Sequence, residues 1–329
     1  MTLRQIVLTG SLTVLFHASN AQTKWQNKDS LFGPLPASVH VYYTNDPQDT
    51  ANFQAWYLVA DLQDPHLAFI ADTVHDRRLT PAAFYTRDQH PLAIVNCTFF
   101  SFATNRSLNT VIRNGQLVAF NEHTIPGRGK DTFTYRHPFH SAIGINKNRE
   151  ADVAWLFTDS SMKWPRAIQQ EVSFVKDSAR RFTLEEARQA IQRQGSKGSG
   201  EKPSLKPWKM ETAVGGGPVL VQNGRVHITN NEELKFAGKA VNDKHPRTAM
   251  GYTADHRLVI MVVQGRSESS SGASLVQLAN LLQEVGCVEA LNLDGGGSSC
   301  LLINGRETIK PSDKEGERAV PAVFMIRVH

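Results

Sequence analysis

The chain has 329 residues, of which 40% are hydrophobic and 20% charged, with a formal net charge of +5. That balance supplies enough apolar residue for a large core and excludes disorder as the default state. The small positive excess gives no argument for nucleic acid and suits an anionic small substrate.

The elements follow in chain order. Arg4, the apolar run Ile6 to Phe16 and the small residues Ser19-Asn20-Ala21 predict a signal peptide over residues 1–21, hence export to the periplasm or the medium. The apolar run falls short of the roughly 20 residues that a membrane span requires, so no membrane insertion is expected after cleavage. Residues 22–37 read as a polar N-terminal linker, and residues 38–329 as one catalytic domain. Strands are predicted at Val39 to Tyr43, Ala55 to Ala60 and His66 to Ile70, with a buried central one at Leu92 to Val95.

A loose repeat begins beyond it. The hairpin Val111 to Val118 turns at Asn114-Gly115 and is followed by His140 to Ile145. A second hairpin, Val219 to Val226, is followed by Arg247 to Tyr252, and a third, Leu301 to Arg306, by Arg318 to Val320. Two helices are legible. Thr183 and Glu186 form a capping box for Leu184 to Gln194. Ser274 and Gln277 open a helix with Leu275, Leu278, Leu281, Leu282 and Val285 on one face, ending near Gly286. Gly195 to Pro203 reads as a mobile surface loop. Hairpins outnumber helices, so the fold class is α+β: mixed β-sheets built from repeated hairpin units with a few helices.

The chemistry centres on Asn292-Leu293-Asp294-Gly295-Gly296-Gly297-Ser298. Alternation along a strand puts Asn292 and Asp294 on one face, so a carboxylate emerges at a strand end. Three glycines remove every Cβ there, which lets a ligand approach the backbone and lets successive N–H groups point at an anion. Gly215-Gly216-Gly217-Pro218 is a second glycine run before an apolar strand. Arg247 and Arg266 are candidates for bidentate phosphate recognition, each weighed against an ordinary surface ion pair. Cys97, Cys287 and Cys300 are odd in number; Cys287 and Cys300 could pair, though their apolar surroundings also suit buried thiols. His137 and His140 are too few to make a metal site, and no cofactor is expected, although Asp294 beside backbone carbonyls leaves a calcium ion open.

Together with Arg247-Thr248-Ala249-Met250-Gly251, Gly215-Gly216-Gly217-Pro218 and Asn96-x-x-Phe99-Phe100, the Asp294 motif resembles the phosphodiester glycosidase family. The resemblance runs from about Leu92 onward and extends to Gly272-Ala273-Ser274-Leu275 and to Pro311-Ser312-Asp313 followed by Arg318. It implies hydrolysis of the sugar C1–O bond of a glycosyl-1-phosphodiester, releasing a sugar and a phosphomonoester. Asp294 would be nucleophile or base, and Arg247 and Arg318 would stabilise phosphate charge. Asn96, Thr248, Asn292 and Ser298 would orient hydroxyls or phosphate oxygens, with Phe99, Gly216, Gly217, Arg266, Gly295, Gly296 and Gly297 also facing substrate. Cys97-Thr98 stands where the family commonly has two glycines, and Gln264 where it often has an acidic residue. Those departures keep open an inactive glycan-binding protein, and a phosphodiesterase cleaving P–O is the other alternative.

Overall fold

The computed structural model describes residues 22–49, 51–195 and 203–329. The expected signal peptide and most of the expected loop after Gly195 lie outside the described residues.

Three antiparallel sheets of eight, seven and five strands dominate, with a small three-stranded one beside them. The large sheets share a core. Val41, Leu58, Met250 and Leu291 of the first meet Ile143, Trp155 and Val214 of the second and Val95, Leu301 and Phe324 of the third. Burying side chains of this size contributes about 1.5–3 kcal/mol each. The outer face of the first sheet is covered by the helix Leu275–Glu284, through Leu275, Leu278, Leu281 and Leu282. The outer face of the third is covered by the helix Pro81–Arg87, through Phe84. Both expected capping boxes form, at Thr183 and at Ser274.

The loose repeat is a repeat of connectivity, with one copy per large sheet. All three hairpins form, and Asn114-Gly115, Asn223-Gly224 and Asn304-Gly305 all have both residues at positive φ. That is the backbone of a type I′ turn, whose twist matches the flanking strands. Each hairpin pairs with a closing strand, which pairs in turn with the strand that follows the hairpin in sequence. In the second sheet the closing strand is Thr212–Gly215, between Val111–Arg113 and His140–Ile145. In the first it is Cys287–Asn292, between Val219–Gln222 and Arg247–Thr253. In the third it is Ala93–Asn96, between Leu301–Ile303 and Ala322–Val328. The chain leaves each closing strand through a turn and enters a hairpin of a different sheet. Those three turns are Cys97 to Phe100, Gly216-Gly217 and Asp294 to Ser298.

One expectation is corrected, and one open pairing is decided. Segment 22–37 is not a free linker, because Gln26–Asn27 adds a strand to the first sheet and Phe32 is buried in the shared core. Cys287 and Cys300 are not paired; all three cysteines are buried free thiols, and burial pushes the Cys97 and Cys287 thiols up to about 12.

Candidate active site at three converging turns

Asn96 ends the first closing strand, fully buried, and every polar atom of its amide is engaged. Its Nδ2 donates to the Asp294 carbonyl at 2.6 Å. Its Oδ1 accepts from Thr248 Oγ1 at 2.9 Å and from the Cys300 amide at 3.0 Å. The Asp294 amide donates to the Cys97 carbonyl at 2.8 Å, which stitches the first turn to the third. The second turn is stitched to the third by the Gly217 amide on the Asn292 carbonyl at 2.7 Å and by Asn292 Nδ2 on the Gly217 carbonyl at 3.1 Å. Asn292 Oδ1 is buried without a partner.

These bonds fix the backbone of Asp294 and leave its carboxyl at the meeting point, half-buried. Burial raises it to about 6, against the opposing pull of Ser298, the Gly295 amide, Arg318 and Lys235. Such a group is mostly ionised at neutral pH, yet poised to exchange a proton.

The glycines admit side chains. The turn is not an open amide nest: Gly295 donates to Asp294 Oδ1 at 3.0 Å, Gly296 to the Pro246 carbonyl at 2.9 Å and Ser298 to the Gly295 carbonyl at 3.2 Å. A Cβ on Gly297 would collide with Arg318 and Asp313, and one on Gly296 would stand 3.2 Å from an Arg266 guanidinium nitrogen. Arg318 grips Asp313 with two bonds of 2.7 and 2.9 Å and reaches Ser298 Oγ at 3.4 Å. Arg266 is exposed and sits at φ +57°, a left-handed conformation that costs a non-glycine residue energy. Among the described residues, Arg266 has no carboxylate partner.

Arg247, expected to clamp phosphate, is placed differently. Its guanidinium is buried and donates to the carbonyls of Ala273, Ala240 and Asp243 at 2.9, 3.4 and 3.0 Å. Burial lowers it to about 10. It straps the 238–246 loop to the start of the helix Leu275–Glu284. His137 is likewise engaged, with the His123 carbonyl at 3.0 Å and Asp177 at 3.1 Å. Among the described residues, no three His, Cys, Asp or Glu side chains gather where they could hold a metal ion.

A model of the phosphodiester glycosidase family matches residues 165–327, a stretch holding the second and third turns, Arg266 and Arg318. N-acetylglucosamine-1-phosphodiester alpha-N-acetylglucosaminidase of Mus musculus is 31% identical over 102 residues, 29% of this chain and 20% of that protein. The SPbeta prophage-derived uncharacterized protein YomE of Bacillus subtilis is 45% identical over 80 residues, 24% of this chain and 12% of that one. The zebrafish catalytic domain of the same glucosaminidase, auto-inhibited by its pro-peptide, has a similar fold, with a TM-score of 0.57 at 19% identity over 94% of this chain and 89% of that one. The chain belongs to the phosphodiester glycosidase family. Its matched segments span a fifth or less of those curated relatives' length.

Sequence reasoning missed two charged residues that adjoin the second turn. Lys235 and Glu233 lie against Gly217, where a Cβ would stand 2.7 Å from Lys235 Cε and collide with the Glu233 carboxylate. Lys235 Nζ sits 4.8 Å from the Phe99 ring centroid, and Phe99 packs edge-on against Phe236 at 6.0 Å. Burial lowers Lys235 to about 8, opposed by Glu233, Asp294 and Glu122. Neither residue stands in a glycine or proline motif. In the run Asn230-Asn231-Glu232-Glu233-Leu234-Lys235 both read as solvated charges.

Proposed function

We propose that this protein is an exported hydrolase that cleaves the sugar C1–O bond of a glycosyl-1-phosphodiester, with residues 38–329 as the catalytic unit. Export rests on the leader-like sequence of residues 1–21. The observation carrying the reaction is Asp294, a partly exposed carboxyl raised to about 6 on a backbone bonded to Asn96 and Cys97, beside the cations Arg318 and Lys235. The glucosaminidase relatives are named for a phosphodiester-linked sugar, which supports the same substrate class here.

The chemistry follows from the leaving group. A phosphomonoester has a second pKa of about 6, so it departs without a strong general acid. The site must instead stabilise growing negative charge, and place a carboxylate near the anomeric carbon. Arg266, exposed over Gly296, and Arg318, held by Asp313 beside Ser298, suit the first task. Asp294 suits the second, as nucleophile or as base for water. The phosphate role first assigned to Arg247 passes to Arg266, while Asn96 and Thr248 act by holding Asp294 in place.

Turnover of a panel of sugar-1-phosphodiesters in ¹⁸O-labelled water tests this. Label in the sugar and none in the phosphate is expected, with Asp294→Asn folded and slower by roughly three orders of magnitude. Label in the phosphate would mean P–O cleavage instead, and sugar binding without turnover would mean a glycan-binding protein.

A further inference from the structure

Lys235 is the cationic side chain that the chemistry above leaves unused. Its stem passes Gly217, its Nζ lies over the face of Phe99, and its charge is felt by Asp294. Among the described residues no carboxylate comes within 4.0 Å of it and no hydrogen bond engages it, although Glu233 is its sequence neighbour. The Glu233 carboxylate is occupied elsewhere. It accepts from the amides of Ser141 and Val219, from Thr229 Oγ1 and from Trp155 Nε1. Two polar atoms nearby are buried without partners, His140 Nδ1 and Asn292 Oδ1. The His140 imidazole is held neutral by burial and by Lys235 itself, so it does not compete as a cation. Glu122, which is exposed, is the remaining carboxylate whose charge acts on Lys235. A half-buried ammonium with its donors free and an aromatic face behind it is suited to receive an anion.

We propose that Lys235 is a catalytic residue whose Nζ donates hydrogen bonds to the departing phosphate, from the side of the second turn. This rests on the C1–O reading. As that bond breaks, its electron pair stays on the bridging oxygen and the diester monoanion becomes a phosphomonoester dianion. Over the turnover, water leaves its hydroxyl on C1 and its proton in solution. Lys235 keeps its own proton, since the phosphate it faces is the weaker base.

Two measurements separate this proposal from the reading beneath it. Calorimetric titration with inorganic phosphate at pH 7 should show binding to wild type, weaker by about tenfold or more in Lys235→Met. Binding should be at least as strong in Asp294→Asn, which removes a negative charge. Turnover of a sugar-1-phosphate methyl diester should fall about a hundredfold in Lys235→Met, mainly in kcat. Wild-type phosphate affinity and turnover in Lys235→Met would overturn the proposal. Phosphate binding that depends on Lys235, in a wild-type protein that hydrolyses no sugar-1-phosphodiester, would sink the reaction and keep the anion site. Should Lys235→Met not fold, the side-chain ¹⁵N resonance of Lys235 in wild type decides: it moves on phosphate addition, or the proposal fails.

Discussion

A carboxyl raised to about 6 by burial carries a folding cost at neutral pH. The folded state binds the Asp294 proton more tightly than the unfolded chain, whose value is 3.8. Stability from this group is therefore fully present below about pH 4 and is lost as pH rises toward 6. Each pKa unit is worth about 1.4 kcal/mol; partial exposure reduces the total to about 1–2 kcal/mol. Asp294→Asn should thus melt higher than wild type at pH 8 and the same at pH 3.5. A lower melting temperature at pH 8 would mean that Arg318 and Lys235 outweigh the burial. Asp294 was legible because a strand-end carboxylate before three glycines has little structural purpose. Arg266 was legible as a candidate, but its left-handed backbone was not. The signature residues Asn96, Thr248, Asn292 and Arg247 mark the site while their donors bind protein. Motif recognition therefore finds the frame more readily than the groups that meet substrate.

Among the elements, the short helix Asn230–Glu233 has an effect out of proportion to its length. It delivers Glu233 into a fully buried position where amides and side chains from two sheets converge on one carboxylate. Ser141 and Trp155 belong to the second sheet and Val219 to the first. Glu233→Gln keeps the shape but turns an NH₂ toward N–H donors, which should cost about 2–4 kcal/mol. Thermal unfolding measures this; a melting temperature within about 2 °C of wild type would show that the network does not tie the sheets together. Elements with local signals were readable: hairpins from Asn-Gly, helices from capping boxes. The helix Pro81–Arg87 was missed although Thr80 caps it and Pro81 occupies its first turn. The closing strand Thr212–Gly215 was missed because it is only four residues long and runs straight into a glycine turn, and only its two neighbours in the second sheet make it a strand.

At the scale of the whole molecule, the three turns meet only if all three sheets are in register around their shared core. The third sheet is closed from both directions along the chain. Its strand Ala322–Val328 lies between Ala93–Asn96 and Leu67–Thr73. Two early strands thus wait for a partner more than two hundred residues later, a pairing of very high sequence separation and slow by nature. Asn96, which bonds the Asp294 backbone, stands at the end of one of those strands. A chain ending at residue 318 would carry every motif discussed above, Arg318 included. It should nonetheless lack turnover and cooperative unfolding, with two unpaired edges open to aggregation; an active, monomeric product would disprove this. During synthesis the same order acts as a timer. The growing chain carries its whole signature before the third sheet can form, and the three turns can meet only once the strand Ala322–Val328 has left the ribosome.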